Sequence, residues 1–327
     1  MADHSKHIAI IGAGISGLAC ASLLDGNGHL ITLYDKGRGP GGRMSSRRVQ
    51  LGKETISFDH GCQYFTAEHP SFVSIVSSWA KEGLIEPWKA AGEEAWVGVP
   101  TMSALVRYLA ADKVVYWNNH ITYLEKKGQR WVIHSDEKKQ AADVVIIAVP
   151  SEQVASLLEG ASAEHGLDVP STVSYPCWSV MVSFSESLPI ARDFSKIQSN
   201  IIATAARNSN KPDRKGNETW VLHATSSWSE KMLLSDSEAV AEALLKEFLI
   251  IHEVPPLKPN YLSAHRWRFA FPKTETRREA IWNEKSRIGL CGDYLIGPRV
   301  EGAWLSGERL AAEILKSFDA EASSITK

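Results

Sequence analysis

The sequence predicts an α/β chain: a Rossmann-type domain with a parallel sheet, carrying a second, mainly β domain. Three observations predict it. A strand, a glycine fingerprint, a helix, a second strand and an acid follow one another from His7 to Asp35. A late apolar strand, Arg287 to Cys291, ends in Gly292-Asp293 ahead of another helix. Between them, residues 170–261 change to strands rich in Trp, Ser and Val around one helix.

The first element is the apolar run Ile8 to Ile11, followed without a spacer by Gly12-Ala13-Gly14-Ile15-Ser16-Gly17. In this fingerprint Gly12 permits the tight turn, Gly14 lets backbone approach a pyrophosphate, and Gly17 lets the helix pack on the strand. Ile15, Leu18, Ala19, Ser22 and Leu23 continue at helical spacing, so the positive end of a helix faces the phosphates. Leu30 to Tyr34 reads as the next strand and ends at Asp35, about twenty residues past the last glycine. A carboxylate there accepts hydrogen bonds from a ribose diol and repels a 2′-phosphate. The loop Lys36-Gly37-Arg38-Gly39-Pro40-Gly41-Gly42-Arg43-Met44 then adds a second glycine turn and an arginine suited to bidentate grip on the pyrophosphate of a longer dinucleotide. At these residues the sequence resembles the FAD-dependent amine-oxidase superfamily, whose signature couples the fingerprint to a downstream Gly-Gly-Arg.

Ile56 to Phe65 alternates and then reaches Gly61, Gln63, Tyr64 and Phe65. The resemblance implies that this stretch returns to the flavin, with Gln63 offering donor and acceptor to a ring edge and Tyr64 flanking a ring face. An amphipathic helix (Phe72, Val73, Val76, Trp79, Ala80) stops at Gly83, and Thr101 is placed to cap the next helix. Val114 to Trp117, Ile121 to Leu124, Trp131 to His134 and Ala142 to Ala148 read as strands. The resemblance implies a backbone contact to adenine near His120. Further on, Trp178 to Phe184 and Thr219 to Thr225 read as strands, and 237–250 as a helix. The polar run Arg207 to Arg214 reads as a solvated connection or a lid. His223 alternates in phase with Val221 and Thr225, as a core histidine does. Asp293, at the carboxyl end of the late strand, is the candidate for the flavin's ribityl chain. The helix starting near Val300-Glu301-Gly302-Ala303 is expected to aim unpaired N–H groups at the flavin's pyrimidine edge.

The expected organisation is a discontinuous FAD-binding domain (1–66, 96–168 and 262–320), a substrate domain (67–95 and 169–261) and a frayed tail (321–327). At 327 residues, with 44% hydrophobic and 23% charged residues, the chain is long enough for two globular domains. A net charge of −2 disfavours nucleic acid and anionic membranes as partners. There is no apolar run of membrane length and the start lacks a signal peptide's apolar stretch, so a cytoplasmic protein is expected. The four cysteines, Cys20, Cys62, Cys177 and Cys291, have neither C-x-x-C nor metal spacing, so they read as structural and no metal is expected.

Together with Asp59, Leu222 to Thr225, His265-Arg266-Trp267 and Arg299 to Gly307, these motifs are similar to the bacterial renalase branch of the superfamily, over nearly the whole chain. That resemblance implies the two-domain architecture shared with p-hydroxybenzoate hydroxylase, and noncovalent FAD. It also implies oxidation of the 2- or 6-dihydro isomers of NAD(P)H to NAD(P)+, with O2 reduced to H2O2. The substrate, a reduced nicotinamide dinucleotide isomer, is expected near Asn208, Trp228, His265 and Trp267. Hydride leaves such a ring without help from a protein base, and no carboxylate or histidine pair has spacing that demands proton transfer. Amine oxidation and a noncatalytic FAD-binding protein are the alternatives.

Overall fold

In the computed structural model, which describes residues 5–136, 138–158, 164–214, 216–274 and 278–325, the chain divides into two compact units. The first contains Met1–Gly42, Val106–Val173 and Pro272–Lys327, and the second Arg43–Leu105 and Ser174–Phe271.

The first unit is a six-stranded sheet in the order Ile281–Asn283, Ile288–Leu290, Val144–Ile147, His7–Ile11, Leu30–Tyr34, Val114–Tyr116. All neighbours are parallel except the first pair. Such strands are covered on both faces, which explains why Val144 to Ile147 is apolar throughout. On one face, Trp131, Ile133, Leu124 and Ile121 of the meander Ile121–Lys127, Arg130–Ser135, Lys139–Ala142 pack on Ile11, Val145 and Ile147. Elsewhere in this unit the helix Ile15–Asp25 packs closely on the long helix Val300–Ile325, because a side chain on Gly307 would meet Ser16 O at 2.2 Å. The strand order reverses between His7–Ile11 and Val144–Ile147, the crevice where open α/β sheets bind ligands.

In the second unit a five-stranded antiparallel sheet runs Phe194–Lys196, Ile202–Arg207, Glu218–Ala224, Ser174–Phe184, Tyr261–Pro272. Side chains alternate across it. Trp178, Val180, Val182, Trp220, Leu222 and Ala264 share one face with Val240, Leu244 and Phe248 of the helix Ser237–Ile251. Burial of each large apolar side chain contributes about 1.5–3 kcal/mol. That helix starts at Asp236, whose carboxylate accepts from the amides of Glu238 and Ala239. On the other face, Met181 and Val221 meet Ile56 and Phe58 of the ribbon Arg47–Leu51, Glu54–Phe58.

Three expectations change here. Residues 43–66, 96–105 and 262–271, expected with the first domain, pack in the second unit, because the ribbon buries its apolar side against the antiparallel sheet. Residues 321–325 of the expected frayed tail continue the last helix, with Glu321 accepting from Arg287 at 3.1 and 3.2 Å; residues 326–327 lie outside the described residues. The helix Met102–Ala110 takes its cap from far along the chain: Met102 N donates to Asp59 Oδ1 (2.9 Å) and Ser103 N to Ser46 Oγ (3.1 Å), while the Thr101 hydroxyl meets that of Ser103. None of the described helices is long and apolar enough to cross a membrane.

Candidate active site

In the first unit the fingerprint forms a cradle made of backbone. Gly12 turns at φ +105°, and a Cβ there would lie 2.6 Å from Ala148 O at the end of the neighbouring strand. A Cβ on Gly17 would lie 2.1 Å from Gly12 O, so the helix sits against the turn. In front of Gly14 a Cβ would meet nothing within 4 Å, and Gly42 of the second glycine turn comes alongside, its Cβ position 3.6 Å from the Gly14 Cα. No side chain caps the helix Ile15–Asp25 and no acid stands in its first turn. Its orphan amides are therefore left for an anion. The Ser16 hydroxyl is buried (6% exposed) and has no hydrogen-bond partner among the described residues. Open space at Gly14, an uncapped helix and an orphaned hydroxyl suit a pyrophosphate.

Asp35 is held at the strand end by the amides of Ala13 (2.8 Å to Oδ2) and Gly37 (2.6 Å to Oδ1), leaving each oxygen a further lone pair for a ribose diol. Lys36 is exposed and donates to Gln153 Oε1 at 3.0 Å. The turn before His120 is tied to this corner, since Asn118 N donates to Gly37 O (2.7 Å) and Asn119 N to Asp35 O (2.9 Å). The His120 side chain itself is exposed, 3.8 Å from Asp136. Asp293 is buried at the start of the turn after the late strand. At the last helix two details correct the expectation of unpaired amides. Ala303 N already donates to Arg299 O at 3.1 Å, and Gly302 is small because a Cβ would lie 2.5 Å from Gly297 O. The first-turn amides of Val300 and Gly302 remain as candidate donors.

The second unit is organised around Asp59, which is fully buried. Its carboxylate accepts from Ser46 Oγ (2.7 Å), Met102 N (2.9 Å), Lys211 Nζ (3.2 Å) and Arg214 Nη2 (2.6 Å). Burial opposes its charge, but Lys211 and Arg214 outweigh that and hold the carboxyl well below the ordinary range. Burial also lowers the Lys211 ammonium, against the pull of Asp59. Gln63 is locked into the same network, donating to the Asp59 and Gly61 carbonyls and accepting from Lys211 at 3.1 Å. With donor and acceptor both engaged, Gln63 braces this network. Gly61 is required because a Cβ would lie 2.0 Å from Arg43 O, while Arg43 donates to Ala270 O at 3.2 Å and Met44 is buried. The Tyr64 ring packs edge-on against Phe194 at 5.3 Å.

Of the four expected pocket residues, the structure brings two together. His265 and Trp267 project from the same face of the strand Tyr261–Pro272 and meet His60, with ring centroids 4.4–5.2 Å apart. Trp267 Nε1 donates to His60 O (2.9 Å), and Arg47 Nη2 donates to His265 Nδ1 (3.3 Å). Burial, with the nearby Arg47, lowers His265 to about 4; burial, His265 and Arg47 lower His60 to about 3. Both are therefore neutral at pH 7. Asn208 is not beside them in a pocket. It is 1% exposed and spends its amide on Ser57 O (2.8 Å) and Asp59 N (3.2 Å). Trp228 packs with Trp178 and Leu222 on the opposite face of the sheet. The run Arg207 to Arg214, read as a solvated connection or a lid, buries Asn208, Lys211 and the Arg214 side chain. Sequence reasoning therefore missed Lys211, Arg214, Arg47 and His60 as site groups. The one usable signal was Asp59, an acid inside an apolar alternation. His223 lowers to about 4 through burial and lies 3.4 Å from Gln63 Nε2. Among the described residues no group of three His, Cys, Asp or Glu could hold a metal ion.

Comparison with known proteins bears on this arrangement. Residues 10–79 match the NAD(P)-binding Rossmann-like domain, and residues 77–315 match the flavin-containing amine oxidoreductase family. Cyclohexylamine oxidase from Brevibacterium oxydans superposes with TM-score 0.70 at 12% identity, over 96% of this chain and 100% of that one. A CLA-producing fatty acid isomerase from P. acnes superposes with TM-score 0.68 at 13% identity, over 96% and 99%. At such identities the likeness is one of fold. A 4,4'-diapophytoene desaturase of Staphylococcus aureus is 44% identical over 54 residues, 16% of this chain; the chain spans only 10% of that relative's length. The chain belongs to the flavin-containing amine oxidoreductase family, with FAD as its cofactor.

Proposed function

We propose that the protein is an oxidase of isomeric dihydronicotinamide dinucleotides, with FAD held noncovalently. The balanced reaction converts the 2- or 6-dihydro isomer of NAD(P)H, O2 and one proton to NAD(P)+ and H2O2. When bound, FAD supplies a two-electron acceptor that O2 can reoxidise. In this reading the fingerprint amides and Ser16 receive the pyrophosphate, Asp35 the ribose diol, and Asp293 the ribityl chain.

The observation that carries the reading is the charge around the His60, His265 and Trp267 rings. A flat dihydropyridine ring can stack there, and its hydride leaves without a base, so two neutral histidines are no handicap. An amine at pH 7 is an ammonium ion and calls for an anion or a base. The charged groups bearing on His265 and His60 are Arg47 and, for His60, Asp59, whose carboxylate is occupied by four donors. Family membership favours amine oxidation as the second reading.

The test is aerobic turnover of the FAD-loaded protein with each dihydro isomer, ordinary NADH and a panel of amines, with H2O2 and NAD(P)+ both quantified. Equal amounts of the two products from a dihydro isomer support the proposal. H2O2 from amines alone would replace it with the second reading.

A further inference from the structure

The aromatic face in the second unit has a cation fixed at its edge. Arg47 lies on the ribbon strand Arg47–Leu51 and is half-buried, and its Nη2 stands 3.3 Å from His265 Nδ1. A guanidinium has no acceptor, so His265 accepts at Nδ1 and carries its proton on Nε2. This contact engages one of the five guanidinium N–H groups. Among the described residues, neutralisation from other elements is weak. Asp59, on the loop after Phe58, is shared between Lys211 and Arg214, so that buried cluster itself carries one surplus positive charge when all three are ionised. Arg266, on the same strand as His265, belongs to the opposite face, over the Trp178 ring and bonded to Leu233 O. Arg268 is exposed. A ligand with a flat ring on Trp267 and His265 therefore meets positive charge at its flank.

We propose that Arg47 is a specificity-determining residue, selecting substrates in which a flat ring is joined to a phosphate and disfavouring those that carry only an amine. The inference rests on the functional reading above and adds to it the group that recognises the substrate's charge. A planar fork is suited to phosphate oxygens, and a charge-assisted hydrogen bond of this kind corresponds to roughly ten-fold or more in affinity.

The experiment uses the FAD-loaded protein and reads equilibrium binding from perturbation of the flavin absorbance. The probes are nicotinamide mononucleotide and nicotinamide riboside, which differ by one phosphate. Wild type is expected to bind the mononucleotide about ten-fold more tightly. Arg47→Gln keeps a donor for His265 and is expected to bring the ratio to about one, with riboside affinity unchanged, whereas Arg47→Lys retains part of the preference. Raising the salt concentration should shrink the wild-type ratio, which tests the charge without any substitution if the glutamine variant loses FAD. An unchanged ratio in a folded Arg47→Gln protein, or a salt-independent wild-type ratio, overturns the inference alone. Failure of wild type to bind either probe or oxidise any dihydro isomer overturns the functional reading and this inference with it.

Discussion

The glycine cradle of the first unit and the ion cluster of the second solve opposite problems. Around Gly12, Gly14, Gly17 and Gly42 the polar groups are chiefly backbone amides, the space is open at Gly14, and the acid Asp35 is half-buried and steadied by two amides. Around Asp59 the polar groups are ionised side chains in a dry interior, with Lys211 fully buried and Arg214 nearly so. Backbone amides cost little to leave facing a ligand, whereas buried charges are tolerable only when paired. The first region is therefore built to receive a partner, and the second to hold a loop of protein rigidly beneath the sheet face that bears His265 and Trp267.

The largest expected effect comes from breaking the second region. Asp59→Asn keeps the shape but leaves Lys211 and Arg214 without their anion, which should destabilise the protein by about 3–5 kcal/mol. Lys211→Met leaves the Asp59–Arg214 pair intact and should cost distinctly less. Denaturant unfolding of both variants gives the comparison, and equal losses would show that the cluster acts by shape rather than charge.

The first region should respond through its ligand. Asp35→Ala removes a charged acceptor, with an expected loss of roughly 1.5–3 kcal/mol in FAD affinity, or about ten- to a hundred-fold in Kd. Titration of apoprotein by flavin fluorescence measures it. The melting temperature of the apoprotein should move less, because Asp35 is itself half-buried and water can take the place of its carboxylate. A large apoprotein loss with unchanged Kd would assign Asp35 to folding alone.

A smaller effect is set by pH. His60 and His265 lie at about 3 and 4, below the ordinary 6.5, mainly through burial. The unfolded chain then binds protons that the folded chain does not, so stability is full above pH 6.5 and declines as pH falls toward 4. His265→Gln should flatten part of that decline, and Arg47→Gln should move the His265 midpoint upward in an NMR titration. The smallest effect belongs to Arg287→Ala, which removes one partner of Glu321 on the last helix. That partly exposed pair contributes about 0.2–1 kcal/mol, visible as faster amide exchange confined to the helix end.

The two regions also differ in how far residue order alone reveals them. The cradle is local: strand, glycines, helix and Asp35 fall within one βαβ unit, so spacing carries the geometry. Gly302 shows the limit of that reasoning, since its need for a small side chain comes from Gly297 five residues earlier and requires no ligand. The ion cluster is assembled from Ser46, Asp59 and Met102 with Lys211 and Arg214, and a polar run such as Arg207 to Arg214 has the composition of a solvated loop. Only the pairing across more than a hundred residues turns it inward. The same holds for the expected substrate residues, since the His265-Arg266-Trp267 motif carries no information about which face Trp228 occupies, nor that Asn208 spends its amide on the ribbon.

We propose that the bound flavin takes electrons from an anionic, flat dinucleotide and not from an amine. Anaerobic mixing of the FAD-loaded protein with 6-dihydro-NAD in one syringe and with cyclohexylamine or putrescine in another, followed at the flavin absorbance band, tests it most directly. Stoichiometric bleaching by the dinucleotide with NAD+ formed, and an unchanged spectrum with either amine, are expected. Bleaching by an amine while the dinucleotide leaves the flavin oxidised would contradict it.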